Sequence, residues 1–373
     1  MNQPDQLVLD MGRRFAAERL APHAAAREKA GAIEPEIIAE LGELGFLGTT
    51  TPAEWDGSDL DPVTYALLLE EIAAGDGSVS TLVSVHNSPT CAVLVQYGTD
   101  AQKDRWLRSL AAGRHIGSFG LTEPQAGSDA SSLRTRAVRK GDRYIVNGSK
   151  QFISNATLPG SIVFFAVTDT DAGKHGLSCF IAEKGMPGYK VLRKEEKLGQ
   201  KASDTCALAF EDMDLPADQR IGEEGEGYKI ALSTLESGRI GIAAQSIGMA
   251  RAALDAAVAY ARDRTAFGKP IIEHQAVAFR LVEAKTKLEA ARQLTLYAAR
   301  LRAEGKNALE TACMAKLFAS EVAEWICSAA IQTLGGYGYL ADYPVERIYR
   351  DVRVCQIYEG TSDVQKIILQ RLL

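Results

Sequence analysis

Arg143-Tyr144-Ile145-Val146-Asn147-Gly148 alternates along its length and ends on an Asn-Gly pair. That is the period of a half-buried strand, closed by the residues that favour a two-residue hairpin turn. The stretch stands between two long regions of helical pattern, so its reading decides between an all-α chain and a mixed one. Residues 161–167 form a β-branched and aromatic run, residues 177–182 another, and Cys206-Ala207-Leu208-Ala209-Phe210 reads as a last strand before the acidic, Gly-rich Gly222-Glu223-Glu224-Gly225-Glu226-Gly227. A β-rich domain is therefore expected over residues 118–226.

Working outward, the N-terminal side reads as helical. Leu7, Met11, Phe15 and Leu20 recur at turn spacing until Pro22 breaks the run. Pro35 and Pro62 stand where first helical turns should begin, Asp61 is a candidate N-cap, and Thr99-Asp100-Ala101-Gln102 has the pattern of a capping box opening a helix that closes near Gly113. On the C-terminal side, residues 228–262, 272–301 and 309–334 read as three long helices, followed by two shorter segments; their frequent small residues permit close helix packing. The expected fold is α+β: a helical domain over 1–117, a β-barrel-like domain over 118–226 and a helical bundle over 227–373.

Composition narrows the function classes. At 373 residues the chain exceeds one ordinary domain, and 46% hydrophobic with 24% charged residues is usual for a soluble globular protein. A net charge of −6 argues against nucleic acid as a partner but leaves room for an anionic ligand on a local basic site. The six cysteines form no C-x-x-C pair and no Cys/His metal spacing, which suits a reducing cytoplasm. No apolar run approaches the roughly 20 residues that span a bilayer. Met1-Asn2-Gln3-Pro4-Asp5-Gln6 lacks the basic start and apolar core of a signal peptide, so a cytoplasmic protein is expected. There is no G-x-G-x-x-G between a strand and a helix, which disfavours the usual nicotinamide dehydrogenases, and no Walker loop.

Chemistry concentrates near the C-terminus. Gln356-Ile357-Tyr358-Glu359-Gly360-Thr361-Ser362-Asp363-Val364-Gln365 puts one carboxylate, Glu359, beside a glycine and just before Thr361, Ser362 and Asp363 at a helix start. An acid ahead of an ordinary helix N-terminus has the same local pattern. Two other stretches bear on the choice: Leu121-Thr122-Glu123-Pro124-Gln125-Ala126-Gly127-Ser128-Asp129 and Arg264-Thr265-Ala266-Phe267-Gly268-Lys269-Pro270.

In that order and spacing the three stretches resemble the acyl-CoA dehydrogenases over essentially the whole chain, and look closest to the short-chain (butyryl) branch. The resemblance implies an FAD enzyme that converts an acyl-CoA to the trans-2-enoyl-CoA and passes electrons to an electron-transferring flavoprotein. Glu359 is then the α-proton base, with its own backbone N–H and a ribityl hydroxyl on the thioester carbonyl. The segment from Phe119 through Leu121, Thr122 and Gly127 to Ser128 matches the lining of the flavin, and Phe152-Ile153-Ser154 the strand that covers it; many relatives carry Trp where this chain has Phe152. Arg264, Phe267 and Gln275 match positions around the FAD pyrophosphate and ribityl chain. Gln332, Leu334, Gly335 and Gly336 match the turn under the adenine end, supplied in relatives by a neighbouring subunit, which implies an oligomer, typically a homotetramer. Thr361 and Asp363 belong to the implied cofactor site as well. Ser128, Glu236, Arg239, Tyr358 and Gly360 match substrate contacts, Tyr358 and Gly360 bordering the thioester, and Ser84-Val85-His86-Asn87-Ser88 resembles the helix that closes the acyl end. Some branches take their base from the position of Gly238, where this chain offers no carboxylate. A branched, cyclic or biosynthetic thioester, or an oxidase that uses oxygen directly, remains an open alternative.

Overall fold

The computed structural model describes residues 5–373; Met1 to Pro4, where the reading of the N-terminus begins, lie outside the described residues. Eight strands form one sheet: β1 (Ile116–Gly120), β2 (Arg136–Lys140), β3 (Arg143–Ser154), β4 (Gly160–Val167), β5 (Leu177–Glu183), β6 (Tyr189–Lys194), β7 (Thr205–Pro216) and β8 (Arg220–Ile221). Their order is β6-β7-β3-β2-β4-β5-β8, with β1 parallel to β4. Helices precede and follow the sheet, which gives the α+β architecture expected from the pattern.

The hairpin expected at Asn147-Gly148 is not there. β3 runs straight through that pair, and the turn lies at Gly141-Asp142, where Lys140 pairs with Arg143. The Asn147 side chain is engaged sideways: its Nδ2 donates to Asp212 Oδ1 (3.0 Å) and its Oδ1 accepts from Asp212 N (2.8 Å). Pairing with β7 shifts between Val146 and Gly148, and Gly148 has φ +153° with Thr135 only 2.5 Å from where a Cβ would stand. The Asn-Gly pair thus builds a β-bulge, whose unpaired residue bends the strand that carries Phe152.

In the N-terminal helices the caps act as expected. Asp61 accepts from Val63 N and Thr64 N, and Thr99 with Gln102 forms the capping box. Pro22 does not end the helical path: it sits in a 3₁₀ turn, Ala21–His23, between two helical segments, where its missing N–H costs little. The helices Gly227–Asp263, Gln275–Ala303 and Leu309–Leu334 then pack on alanines, Ala250, Ala253, Ala257, Ala261, Ala323 and Ala330 among them. Buried carboxylates on the helix Pro62–Gly75 tie the two helical regions together: Arg292 Nε donates to Glu70 Oε2 (2.8 Å) and Arg251 Nη2 to Glu71 Oε2 (2.6 Å). All six cysteines are free and buried, and no described helix is long and apolar enough to cross a membrane.

Candidate active site

Glu359 lies between the 3₁₀ turn Arg353–Gln356 and the helix Ser362–Gln370. Thr361 caps that helix, its hydroxyl accepting from Val364 N at 3.2 Å, while Asp363 stands exposed in the first turn. Glu359 has φ +52° and Gly360 φ +89°. A non-glycine residue in the left-handed region costs about 1–2 kcal/mol, so surrounding contacts must hold it there. They are visible. Lys316 Nζ donates to Gly360 O (2.6 Å), Gln365 Nε2 donates to the same oxygen (2.9 Å) and to Glu359 O (3.4 Å), and Tyr358 Oη donates to Gln245 Oε1 (2.7 Å). Gln245 in turn donates to Ser80 Oγ and Thr81 Oγ1, both at 2.6 Å, which anchors the loop to the helix Gly77–Val85.

The carboxylate occupies a hollow at Gly238. An added Cβ on Gly238 would stand 1.8 Å from Glu359 Oε2, so the absence of a side chain there makes the room for the acid. Glu359 keeps intermediate exposure overall, while Oε2 itself is shielded from solvent and has no hydrogen-bond partner. Burial pushes the carboxyl up to about 7, against the pull of Lys316 and then Arg239. Arg239 is itself buried, with Nε and Nη1 unpartnered. Glu236 stands 3.9 Å from Arg302. The Glu359 N–H has no acceptor among the described residues, which leaves a donor free beside the acid.

A second assembly lies along the sheet. Gln151 N donates to Thr122 O (2.8 Å), which brings the segment after β1 alongside Phe152. That segment is pinned from beneath: Glu123 accepts from Lys150 Nζ (2.8 Å), Arg134 N (2.7 Å) and Thr135 N (3.0 Å), and Lys150 also donates to Leu121 O (3.3 Å). Burial works against the Glu123 charge, yet Lys150 and these donors hold its carboxyl down to about 2. Phe152 has φ +61° and is 63% exposed, offering an aromatic face, whereas Ile153 is sunk in the sheet core. Phe119 packs edge-on against Phe165 at 5.3 Å, and Leu121 is buried beside it. Gly127 and Ser128 are exposed and Ser154 is half-buried.

The third assembly is a cleft of about 630 Å³ lined by Tyr260, Arg264, Thr333, Leu334, Gly335, Gly336 and Tyr337, among others. Arg264 has no carboxylate within 4 Å among the described residues and lies over the Tyr337 ring at 5.8 Å from its centroid. Nothing stands within 4 Å of where side chains at Gly335 and Gly336 would begin. Phe267 is 97% exposed, and Gln275 and Gln332 are exposed at the edges of their helices without lining the cleft. This cleft shares no lining residue with the surroundings of Glu359. An unpaired guanidinium, an exposed aromatic face and open glycine backbone fit a flat aromatic group joined to a diphosphate.

The sequence reading missed Lys316, Gln365 and Gln245. Lys316 had a signal: it is the one charge on the apolar stripe of Ala312, Ala315, Ala319 and Ala323. His86, on the stretch read as closing the acyl end, is fully buried; its Nδ1 accepts from Gly117 N (2.9 Å) and its Nε2 lies 3.1 Å from Leu110 O, a packing role.

Comparison with known proteins finds matches along most of the chain. Models of the acyl-CoA dehydrogenase N-terminal, middle and C-terminal domains match residues 2–114, 118–213 and 225–373. The short-chain specific acyl-CoA dehydrogenase of Clostridium acetobutylicum is 40% identical over 369 residues, covering 99% of this chain and 97% of its own. The structure of butyryl-CoA dehydrogenase from Megasphaera elsdenii superposes with a TM-score of 0.97 at 41% identity, covering 100% of this chain and 99% of the other. A chain from structural work on the electron transferring flavoprotein of Acidaminococcus fermentans has a TM-score of 0.97 at 45% identity, covering 100% and 98%.

Proposed function

The chain belongs to the acyl-CoA dehydrogenase family, whose members are FAD-dependent oxidoreductases, and on that premise we propose that it desaturates a short straight-chain acyl-CoA, with Glu359 as the base. The observation that carries this reading is the Glu359 carboxyl sealed against Gly238, one oxygen unpartnered and its proton affinity raised toward neutrality. An α-proton of a thioester is too weakly acidic for a hydrated carboxylate. Desolvation raises the base toward the working pH, and a donor on the carbonyl oxygen stabilises the enolate-like charge. The free N–H of Glu359 supports that second task.

Arg264 would hold the diphosphate of FAD, the Gly335-Gly336 backbone its adenine end, and Phe152 with the Thr122 and Ser128 segment its ring system. When bound, FAD supplies the acceptor for the hydride that leaves the β-carbon. The residues of this chain orient the thioester through Tyr358, Gly360 and Arg239, exclude water from the acid, and take the α-proton on a Glu359 oxygen. The likeness to short-chain and butyryl-CoA enzymes supports a short substrate, and the likeness to a chain studied with an electron-transferring flavoprotein supports that class of acceptor. The open wall at Gly335 and Gly336 supports a homo-oligomer, and six buried free thiols support a reducing cytoplasm.

The test is anaerobic titration of the flavin-loaded protein with butyryl-, hexanoyl-, octanoyl- and isobutyryl-CoA. Bleaching strongest with butyryl-CoA supports the full reading. Bleaching by another thioester keeps the chemistry and replaces the substrate, and no bleaching of a flavin that dithionite reduces overturns the reading.

A further inference from the structure

We infer that Lys316 is a positioning residue for the base: its buried ammonium holds the Gly360 carbonyl, and with it the left-handed turn through Glu359 and Gly360, and supplies positive charge that keeps the enclosed carboxylate able to ionise. The inference rests on Glu359 being the base.

Lys316 is fully buried on the helix Leu309–Leu334, and no carboxylate lies within 4 Å of its Nζ among the described residues. A fold that encloses an ammonium ion without a carboxylate partner gives up stability to do so. Its hydrogen bond goes to Gly360 O at 2.6 Å, the carbonyl next after the acid. Gln365, equally buried, donates to that carbonyl as well. One turn is therefore held by two donors, one charged and one neutral.

The groups facing the acid leave Lys316 a distinct task. Arg239 from the helix Gly227–Asp263 and Tyr65 from the helix Pro62–Gly75 face the acid, Tyr358 adjoins it in the chain, and Cys313 from the lysine's own helix and Cys355 from the preceding segment face the ammonium of Lys316. Burial pushes the Cys313 and Cys355 thiols and the Tyr65 and Tyr358 hydroxyls up, so these stay neutral. The positive charge beside Glu359 is then Arg239 and Lys316. Burial pulls Lys316 down to about 8 and pushes the acid up to about 7, and each of the two draws the other back toward its charged form.

The experiment follows flavin reduction by butyryl-CoA in anaerobic stopped flow from pH 5.5 to 9.5 for the native protein, Lys316→Met, Lys316→Gln, Gln365→Leu and Glu359→Gln. Losing Lys316 should move the acid limb of the profile upward by about one pH unit, the shift expected on removing one nearby opposite charge. Gln365→Leu should lower the limiting rate and leave the limb in place. A readout without turnover is the carboxylic acid C=O band of Glu359, identified by its loss in Glu359→Gln and titrated by infrared difference spectroscopy. The band should titrate higher in both Lys316 variants, and Lys316→Gln serves if Lys316→Met does not fold. A limb and a band that both stay at the native position overturn the inference. If Glu359→Gln is still reduced at the native rate, it is the assignment of the base that fails.

Discussion

Around Glu359 the chain itself supplies close support: Gly238 from one helix, Lys316 from another, Gln365 from the helix that follows, and a hydrogen-bond relay through Tyr358 and Gln245 to the N-terminal helices. Around Arg264 the opposite holds. Gly335 and Gly336 face open space, Phe267 is almost wholly exposed, and the guanidinium leans on a tyrosine ring in place of a carboxylate. On the proposed function Glu359 must move a proton, and a group with that task has to be set to a fraction of an ångström before the substrate arrives, which internal support provides. A group that binds a large anionic cofactor can be completed by the cofactor and by a second chain.

Five experiments bear on that contrast. The largest effect is expected for Glu359→Gln, which keeps the volume but cannot take the proton: flavin reduction by butyryl-CoA in stopped flow should fall by roughly 10²- to 10⁴-fold with flavin content unchanged. Gly238→Ala should come next. The added carbon meets the far end of a flexible side chain, so the protein should fold, but with the carboxylate displaced butyryl-CoA should reduce the flavin about 100-fold more slowly, with little change in melting temperature. Arg264→Met should leave the chemistry of bound flavin intact and weaken FAD retention about tenfold, measured by flavin fluorescence on dilution. The pH dependence is of similar size. Because the Glu359 carboxyl is raised to about 7, the reduction rate should rise about tenfold from pH 6 to pH 8. The linked stability effect has the opposite sense: the folded chain holds this proton up to about 7 whereas the unfolded chain releases it near the ordinary value of 4.5, so raising the pH through that window costs the folded state. The smallest effect is expected for Gly336→Ala, where a methyl group meets nothing within 4 Å. Its melting temperature without flavin should match the native one, and a loss of FAD affinity would show that something beyond the single chain closes that wall.

Legibility in the sequence follows the same divide between local and distant causes. The helix over residues 309–334, the capping box at Thr99 and the cap at Thr361 are set by neighbours a few residues away, and their patterns are plain. Asn147-Gly148 misleads because its role depends on Asp212 in another strand; the same two residues that make a hairpin turn also make a bulge when a partner strand occupies both flanks. The position of Glu359 at a loop-to-helix junction is local and legible. Its left-handed backbone, the hollow at Gly238 and the ammonium of Lys316 arise from residues up to about 120 positions away in sequence, and no spacing rule announces them.

The six enclosed cysteines make the molecule its own reporter. Thiols buried to this degree are inert while the chain stays closed, and none is tied up in a disulfide. Their labelling by a small alkylating reagent, resolved by mass spectrometry, becomes a set of independent clocks for local opening: Cys179 and Cys206 time the sheet, Cys91 the N-terminal helices, and Cys313, Cys327 and Cys355 the scaffold behind Glu359. Labelling at Cys355 that outpaces the others would mark the loop carrying Glu359 as the first part of the molecule to breathe.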